Sequence, residues 1–564
     1  MELNNAFLVT LLSTSLSLSA QATLHSTSLD AGTLGRQLEQ AQVLSKVKPA
    51  GELFDNNASQ SPLSQSDRSA LQFTLSTIQV FEFEGQEVKE DLSQILQHYI
   101  NKPLTLSELK QLTHSITQYY RQNNYLVARA IIPPQEIENG RLLVLVLKGK
   151  MGEVNVHNNS LLRTSLVQRI AGTTVGDKAA LYKSDLEKLA LLLNDIQGVK
   201  PQLSLKAGKH QGTTDLTISL EDGQKASTYL SVDNQGNKET GIYRFAFGGR
   251  VNNLIGLGDD LKLDAMTSET AKLKSIRLDY SALVDGYGSR IGGQAQYMSY
   301  KLGGEFSTLN AKGYSHALGV YFLHPTVRLP AFRMNTKLAF THQLLTDEQN
   351  AAKVKQKRRA NSLNLLINGS WRAVENGTTY FALGANFGNV HQQSNEAAHY
   401  QDSQWKARNA FTSLTYALSH EQMLGNNLGL NLTVSGQFTD RNLDSSQKML
   451  LGGQYAVKGY HSGVASVDEG HLFQAELKHY FPIFKDSMLT SSVSYDYAQG
   501  QFYKTPANLA DSFKNRVKLQ SVGVNWSLSA TNNYMLNLTL AKPIGNKLPR
   551  ADKHRVWFSA VKTF

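Results

Sequence analysis

Residues 522–541, VGVNWSLSATNNYMLNLTLA, decide the fold of this chain. Val522, Val524, Trp526 and Leu528 alternate with Gly523, Asn525, Ser527 and Ser529. After a short polar break, Tyr534, Leu536, Leu538 and Leu540 alternate with Met535, Asn537, Thr539 and Ala541. A period of two is the signature of a strand with two unlike faces. One face is greasy; the other is mostly Gly, Asn, Ser and Thr. A soluble sandwich turns charge outward to water. A small polar face opposite a continuous apolar one fits a water-filled lumen with lipid outside.

The pattern extends in both directions. Leu428, Leu430, Leu432 and Val434 alternate with Gly429, Asn431, Thr433 and Ser435. About sixteen candidate strands fit between Lys225 and Phe564, one per ~21 residues, which suits a tilted membrane strand of ~10 residues plus a connection. Connections alternate between short, as at Asp285-Gly286-Tyr287-Gly288, and long, as at Thr346–Arg359. The long one carries Lys355, Lys357, Arg358 and Arg359 and reads as a solvated loop. The final strand, Arg555–Phe564, ends on an aromatic; Val556, Phe558 and Ala560 share its outer face and Lys562 interrupts it.

Composition agrees. The 564 residues have a mean hydropathy of −0.32 and, past the N-terminus, no run of about 18 apolar residues, which argues against membrane helices but not against a barrel. There is no cysteine, so disulfides and thiol metal sites are excluded. The formal charge of +11 forms no basic stripe with interleaved aromatics, so nucleic acid is not an expected partner. The 15 histidines have no ligand spacing. Nucleophile elbow, phosphate loop and metal motif are all missing, so neither an enzyme nor a cofactor or metal is expected.

The N-terminal third has a different texture. Residues 1–22 have a short apolar, hydroxyl-rich run ending in Ala20-Gln21-Ala22, an expected signal peptide. Residues 23–47 are helical in character: Asp30 can cap, and Leu34, Leu38 and Ala41 recur at helical spacing among Arg36, Gln37, Glu39 and Gln40. Residues 48–70, rich in Asn, Ser, Gln and Pro, read as a linker. Two similar α+β modules follow, at 71–149 and 150–223. Their helices carry the capping-box patterns Thr105-Leu106-Ser107-Glu108 and Ser184-Asp185-Leu186-Glu187. Tandem modules with open sheet edges suit capture of extended chains by strand addition. The barrel is expected over 224–564.

Within the barrel, Leu450–Leu477 (LLGGQYAVKGYHSGVASVDEGHLFQAEL) places a cation, a glycine and an aromatic in one long connection. Val457-Lys458-Gly459-Tyr460 resembles the V-R-G-Y motif of two-partner secretion transporters, the TpsB family, within the wider group of outer-membrane insertases and translocases. Pro133-Pro134-Gln135 with Gly140 is similar to the end of that family's first module. Asp233-Asn234 with Gly236, Gly241, Asn253 and Gly258-Asp259 is similar to its first barrel hairpin.

The resemblance covers the mature chain. It implies a transmembrane β-barrel of about 16 antiparallel strands in the bacterial outer membrane, two periplasmic POTRA domains, and an N-terminal plug helix that includes Leu34, Arg36 and Leu38. It further implies that the tetrad folds into the lumen and that its cation meets an aspartate of the inner wall. That aspartate is Asp496 in Ser494-Tyr495-Asp496-Tyr497-Ala498, although Ser494 and Ala498 depart from the family's Phe/Gly and Gly. Lys458 also departs, standing where the family has arginine. The implied function is export, without nucleotide hydrolysis, of a TpsA-type secreted exoprotein (a haemolysin, adhesin or contact-dependent toxin) recognised by its N-terminal secretion domain. Implied partners are that exoprotein, outer-membrane lipids, and the barrel-assembly machinery during biogenesis; a monomer is expected. The alternative is an insertase-like assembly factor for other barrels.

Overall fold

A computed structural model of the protein describes residues 29–40, 72–176, 180–394, 410–484, 486–505, 514–530, 533–545 and 552–564. The expected signal peptide and linker lie outside the described residues.

The first described element is helix α1 (Ala31–Gln40). The first module holds β1 (Gln72–Thr74), β2 (Thr77–Glu82), α2 (Ser93–Leu96), β3 (Pro103–Thr105), α3 (Leu106–Gln122), β4 (Arg129–Ile131) and β5 (Arg141–Leu147), with sheet order β2-β5-β4 and a separate β1-β3 pair. A break separates β1 from β2, where the Ser76 and Thr77 amides both donate to the Gly140 carbonyl. Leu109, Leu112, Ile116 and Tyr120 recur at helical spacing and bury one face of α3 against the sheet. The Thr105 capping box is present: Glu108 N donates to Thr105 Oγ1, and Glu108 Oε2 accepts from Thr105 N at 2.6 Å. Gln135 completes the module end by bonding both backbone groups of Leu143.

The second module holds β6 (Lys150–Asn159), α4 (Thr164–Val175), α5 (Lys183–Asn194), β7 (Val199–Ala207) and β8 (Thr213–Asp222), in sheet order β6-β8-β7. The capping box read at Ser184 does not form. Tyr182 is the N-cap and makes no side-chain cap bond. Ser184 is instead tied to the first module, its amide donating to Asn124 Oδ1 at 3.0 Å and its hydroxyl accepting from Asn124 Nδ2 at 2.9 Å. The helix start is satisfied across the joint between modules, which a local motif does not register.

The barrel is closed and antiparallel. Its strands are β9 (Ala226–Asp233), β10 (Arg244–Asn252), β11 (Asp260–Ser268), β12 (Leu273–Leu283), β13 (Arg290–Lys301), β14 (Ala311–Arg328), β15 (Phe332–Gln349), β16 (Val354–Trp371), β17 (Gly377–Ser394), β18 (Ala410–Met423) and β19 (Leu428–Thr439). After the short pair β20 (Met449–Leu450) and β21 (Ser466–Val467) come β22 (Glu469–Phe484), β23 (Ser487–Gln501), β24 (Arg516–Ala530), β25 (Tyr534–Pro543) and β26 (Arg555–Thr563). Sixteen strands form the wall, and β26 closes it on β9 from Ser559↔Asp233 to Thr563↔Tyr229. Alternation does what the sequence implied: Leu536, Leu538, Leu540, Val556 and Phe558 are exposed outward, whereas Thr539 and Trp557 are buried inward.

The long loop read at Thr346–Arg359 is corrected. β15 and β16 run through it and leave only a tight connection at 350–353, so its basic residues sit on a strand. Strand alternation then sends Arg358 inward, 6% exposed, and turns Lys355, Lys357 and Arg359 outward.

The second module seats on the barrel turns and so marks the end expected to face the periplasm. Arg328 Nε meets Asp195 at 2.7 Å, Thr173 Oγ1 donates to the Gly286 carbonyl at 2.6 Å, and Leu283 joins the apolar core of the module.

Candidate functional site inside the barrel

Among the described residues two elements enter the lumen: the connection between β19 and β22, and helix α1. The connection folds inward and is stitched by β20 against β21 and by a buried ion pair, Lys448 Nζ to Asp468 Oδ1 at 3.0 Å. Its apolar residues Leu451, Ala456, Val457, Tyr460, Val464 and Val467 pack with Leu472, Ala498, Val517 and Leu519 of the wall. Burial of this kind is worth roughly 2 kcal/mol per large side chain, so the loop is a packed part of the interior and not a tether.

The tetrad sits at the centre of that contact. Lys458 Nζ reaches Asp496 Oδ1 at 2.7 Å, and the Lys458 amide donates to Asp496 Oδ2 at 3.1 Å. Asp496 is fully buried, and strand register supplies its other donors: Gln474 on β22 and Ser521 on β24 both stand directly beside it. Gln474 Nε2 lies 3.2 Å from Oδ1 and Ser521 Oγ 2.9 Å from Oδ2. The Lys458 carbonyl accepts from Trp557 Nε1 at 2.7 Å, extending the anchor to β26. Gly459 must be glycine, since a Cβ there would stand 2.7 Å from Ser521 Cβ and 2.9 Å from the Pro543 nitrogen.

Helix α1 lies against the opposite wall. Leu34 is buried with Ala31 among Leu273, Met298, Tyr300, Leu302 and Leu345, and Leu38 packs partly against the same cluster. Arg36 pairs with Glu39 at 3.0 Å and its Nε donates to the Lys448 carbonyl at 3.3 Å. At Gly32 the helix comes so near the loop that a Cβ would fall 2.5 Å from the Ser446 nitrogen.

One guanidinium ties helix, loop and wall together. Arg358 on β16 donates to Asp444 of the loop at 2.8 Å, to Asp347 of β15 at 2.5 Å and to Asp30, the helix cap, at 3.3 Å. Asp347 also accepts from Tyr300 OH at 2.6 Å and from the Ala31 amide at 2.9 Å. Asp30 caps the Thr33 amide at 2.7 Å and accepts from Ser445 Oγ at 2.6 Å. Three carboxylates share one cation, and the longest of the three contacts is the one to the helix. Such a cluster is stable as built and sensitive to the loss of any member.

Lys458 and Asp496 are therefore together in the structure, whereas Leu34 and Leu38 meet a different stretch of wall and Arg36 bonds the loop at Lys448. Sequence reading put Arg358 in a solvated loop and did not find Asp347, Asp444, Gln474, Ser521 or Trp557. Only Trp557 carried a signal: it lies between outward Val556 and Phe558 and so must face the lumen.

Comparison with known proteins agrees with this architecture. A family model described as haemolysin secretion/activation protein ShlB/FhaC/HecB matches residues 212–525, and one for the ShlB-type POTRA domain matches residues 73–149. A heme/hemopexin transporter protein, HuxB, of Haemophilus influenzae strain 86-028NP is 50% identical over 536 residues, 95% of each chain. The outer membrane transporter CdiB of Dickeya dadantii is 21% identical over 78% of this chain and 79% of its own. Among solved structures, CdiB from Escherichia coli aligns over 95% of this chain and 100% of that one with a TM-score of 0.72; at 15% identity this is a likeness of fold.

Proposed function

Since the chain belongs to the ShlB/FhaC/HecB family of haemolysin secretion/activation proteins, we propose that helix α1 is the part that moves when it works, while the Lys458 loop stays seated. The protein is an outer-membrane transporter that exports a partner exoprotein, with its POTRA domains in the periplasm. The POTRA pair captures the N-terminal secretion domain of the unfolded partner, α1 leaves the lumen, and the chain passes outward. Folding at the surface supplies the drive, and the transporter acts as a monomer among outer-membrane lipids after delivery by the barrel-assembly machinery. The similarity to a heme/hemopexin transporter supports a cargo that serves haem or haemopexin uptake.

The observation that carries this reading is the shared Arg358, which couples the helix cap Asp30 to the loop residue Asp444 and the wall residue Asp347. A short helix held by one small apolar cluster and one uneven ionic cluster is a closure that can be withdrawn. In this reading Lys458 and Asp496 keep the loop seated while α1 moves. Two POTRA modules and a lumen helix favour export over the insertase alternative. Co-expression with a candidate partner exoprotein tests the choice: its secretion into the medium should depend on this protein. Unchanged secretion in its absence, with defective assembly of other barrels, would support the insertase instead.

A further inference from the structure

The basic run at 354–359 splits between the two sides of the wall. At the end of the barrel away from the second module, the outward positions of neighbouring strands are Lys274 on β12, Lys301 on β13, Lys312 on β14, and Lys355, Lys357 and Arg359 on β16. Lys301 and Lys312 stand directly opposite each other in register, a like-charge pair that opposes strand pairing unless an anion lies between them. Among the described outward residues of these strand ends, Glu348 is the one carboxylate. It is shared by Lys355 at 2.5 Å and Lys312 at 3.4 Å. Lys301, Lys357 and Arg359 have no ion-pair partner among the described residues.

A depression of about 340 Å³ opens here, lined by Lys272, Lys274, Lys301, Lys312, Tyr314 and Glu348. Below it on the same strands the outer wall turns apolar, with Leu318, Val320, Phe340, Leu344 and Leu363 exposed. Cations above a greasy band match a lipid whose phosphates lie above its acyl chains, and the height is that of the outer leaflet's headgroups.

We propose that the outward face of β12–β16 at its extracellular end binds the phosphate groups of a phosphorylated glycolipid of the outer leaflet. The lysines neutralise the phosphates, Lys301 gains the anion that its neighbour Lys312 already has in Glu348, and the acyl chains cover Leu318, Val320 and Phe340.

The test is native mass spectrometry of the full-length protein titrated with bisphosphorylated lipid A, with its dephosphorylated form, and with phosphatidylglycerol. Each lysine near an anionic headgroup contributes about fivefold, so K301Q/K312Q/K357Q should weaken lipid A binding by about a hundredfold. Loss of the phosphates should weaken binding to the wild type comparably. Equal binding by wild type and variant would overturn the proposal. So would equal binding of the dephosphorylated lipid, or of phosphatidylglycerol. Should the variant lose its heat-modifiable mobility, a sign of misfolding, the three lipids on the wild type decide alone.

Discussion

Replacing Lys458 with alanine removes the one cation, among the described residues, beside a carboxylate that has no access to solvent. Asp496 is fully buried, and the Lys458 side chain is only 12% exposed. Breaking a buried pair from one side costs about 3–5 kcal/mol, because the remaining charge is left unpaired. Here the Lys458 amide, Gln474 and Ser521 still donate to Asp496, so the lower end, ~3 kcal/mol, is expected. That corresponds to a shift of about a hundredfold in the equilibrium between seated and released loop. The packed Val457 and Tyr460 and the Trp557 bond keep the seated form dominant, so a minor open population should grow without the barrel failing. Protease cleavage of the loop in outer-membrane vesicles reads that population, and channel conductance in planar bilayers reads its consequence. A double-mutant cycle supplies the control: K458A/D496A should be less perturbed than the sum of the single variants, because it leaves no stranded charge. A K458A loop no more cleavable than wild type, or strictly additive single effects, would refute the reasoning.

Lys458→Arg should change loop seating by under about 1 kcal/mol despite the fork of guanidinium. Asp496 Oδ2 is already taken by the Lys458 amide and Ser521, so a bidentate grip must displace one of them; the same cleavage assay checks this. Leu34→Ala should weaken seating of helix α1 by about 2–5 kcal/mol, raising resting conductance with no loss of assembled barrel. Arg358→Ala should do so more strongly, because it leaves Asp30, Asp347 and Asp444 facing one another, and an unchanged resting conductance would contradict the latch. In the first module, burial works to raise the Glu90 carboxyl, but the bonds from Lys148 and Tyr120 prevail and hold it below its ordinary value. A depressed carboxylate gives stability that is present above the unfolded value and is lost as pH falls through the folded one. Acid unfolding of the module, followed by circular dichroism, should therefore steepen below pH ~4.5, and Glu90→Gln should flatten it.

The alternation at 522–541 determined the barrel because side-chain direction along a strand is fixed by its pleat, and lipid and lumen demand opposite chemistry. The tandem modules were legible for a similar reason: helical spacing and strand runs are local. The Thr105 capping box, whose partners are three residues apart, was readable too. What lay beyond the sequence was every contact set by register between distant strands. Gln474, Asp496 and Ser521 converge because β22, β23 and β24 pair in one alignment, and a shift of one residue would turn Asp496 to lipid. Ser184 fails as a cap because Asn124 reaches it from another module. Arg358 read as one of four basic residues in a loop, and only the extension of β15 and β16 gave it an inside and an outside neighbour. Sequence determined which residues tolerate water, lipid or a turn. Tertiary structure decided which of them meet, because closing the barrel brings Asp30, Asp347, Arg358 and Asp444 to one point from positions far apart along the chain.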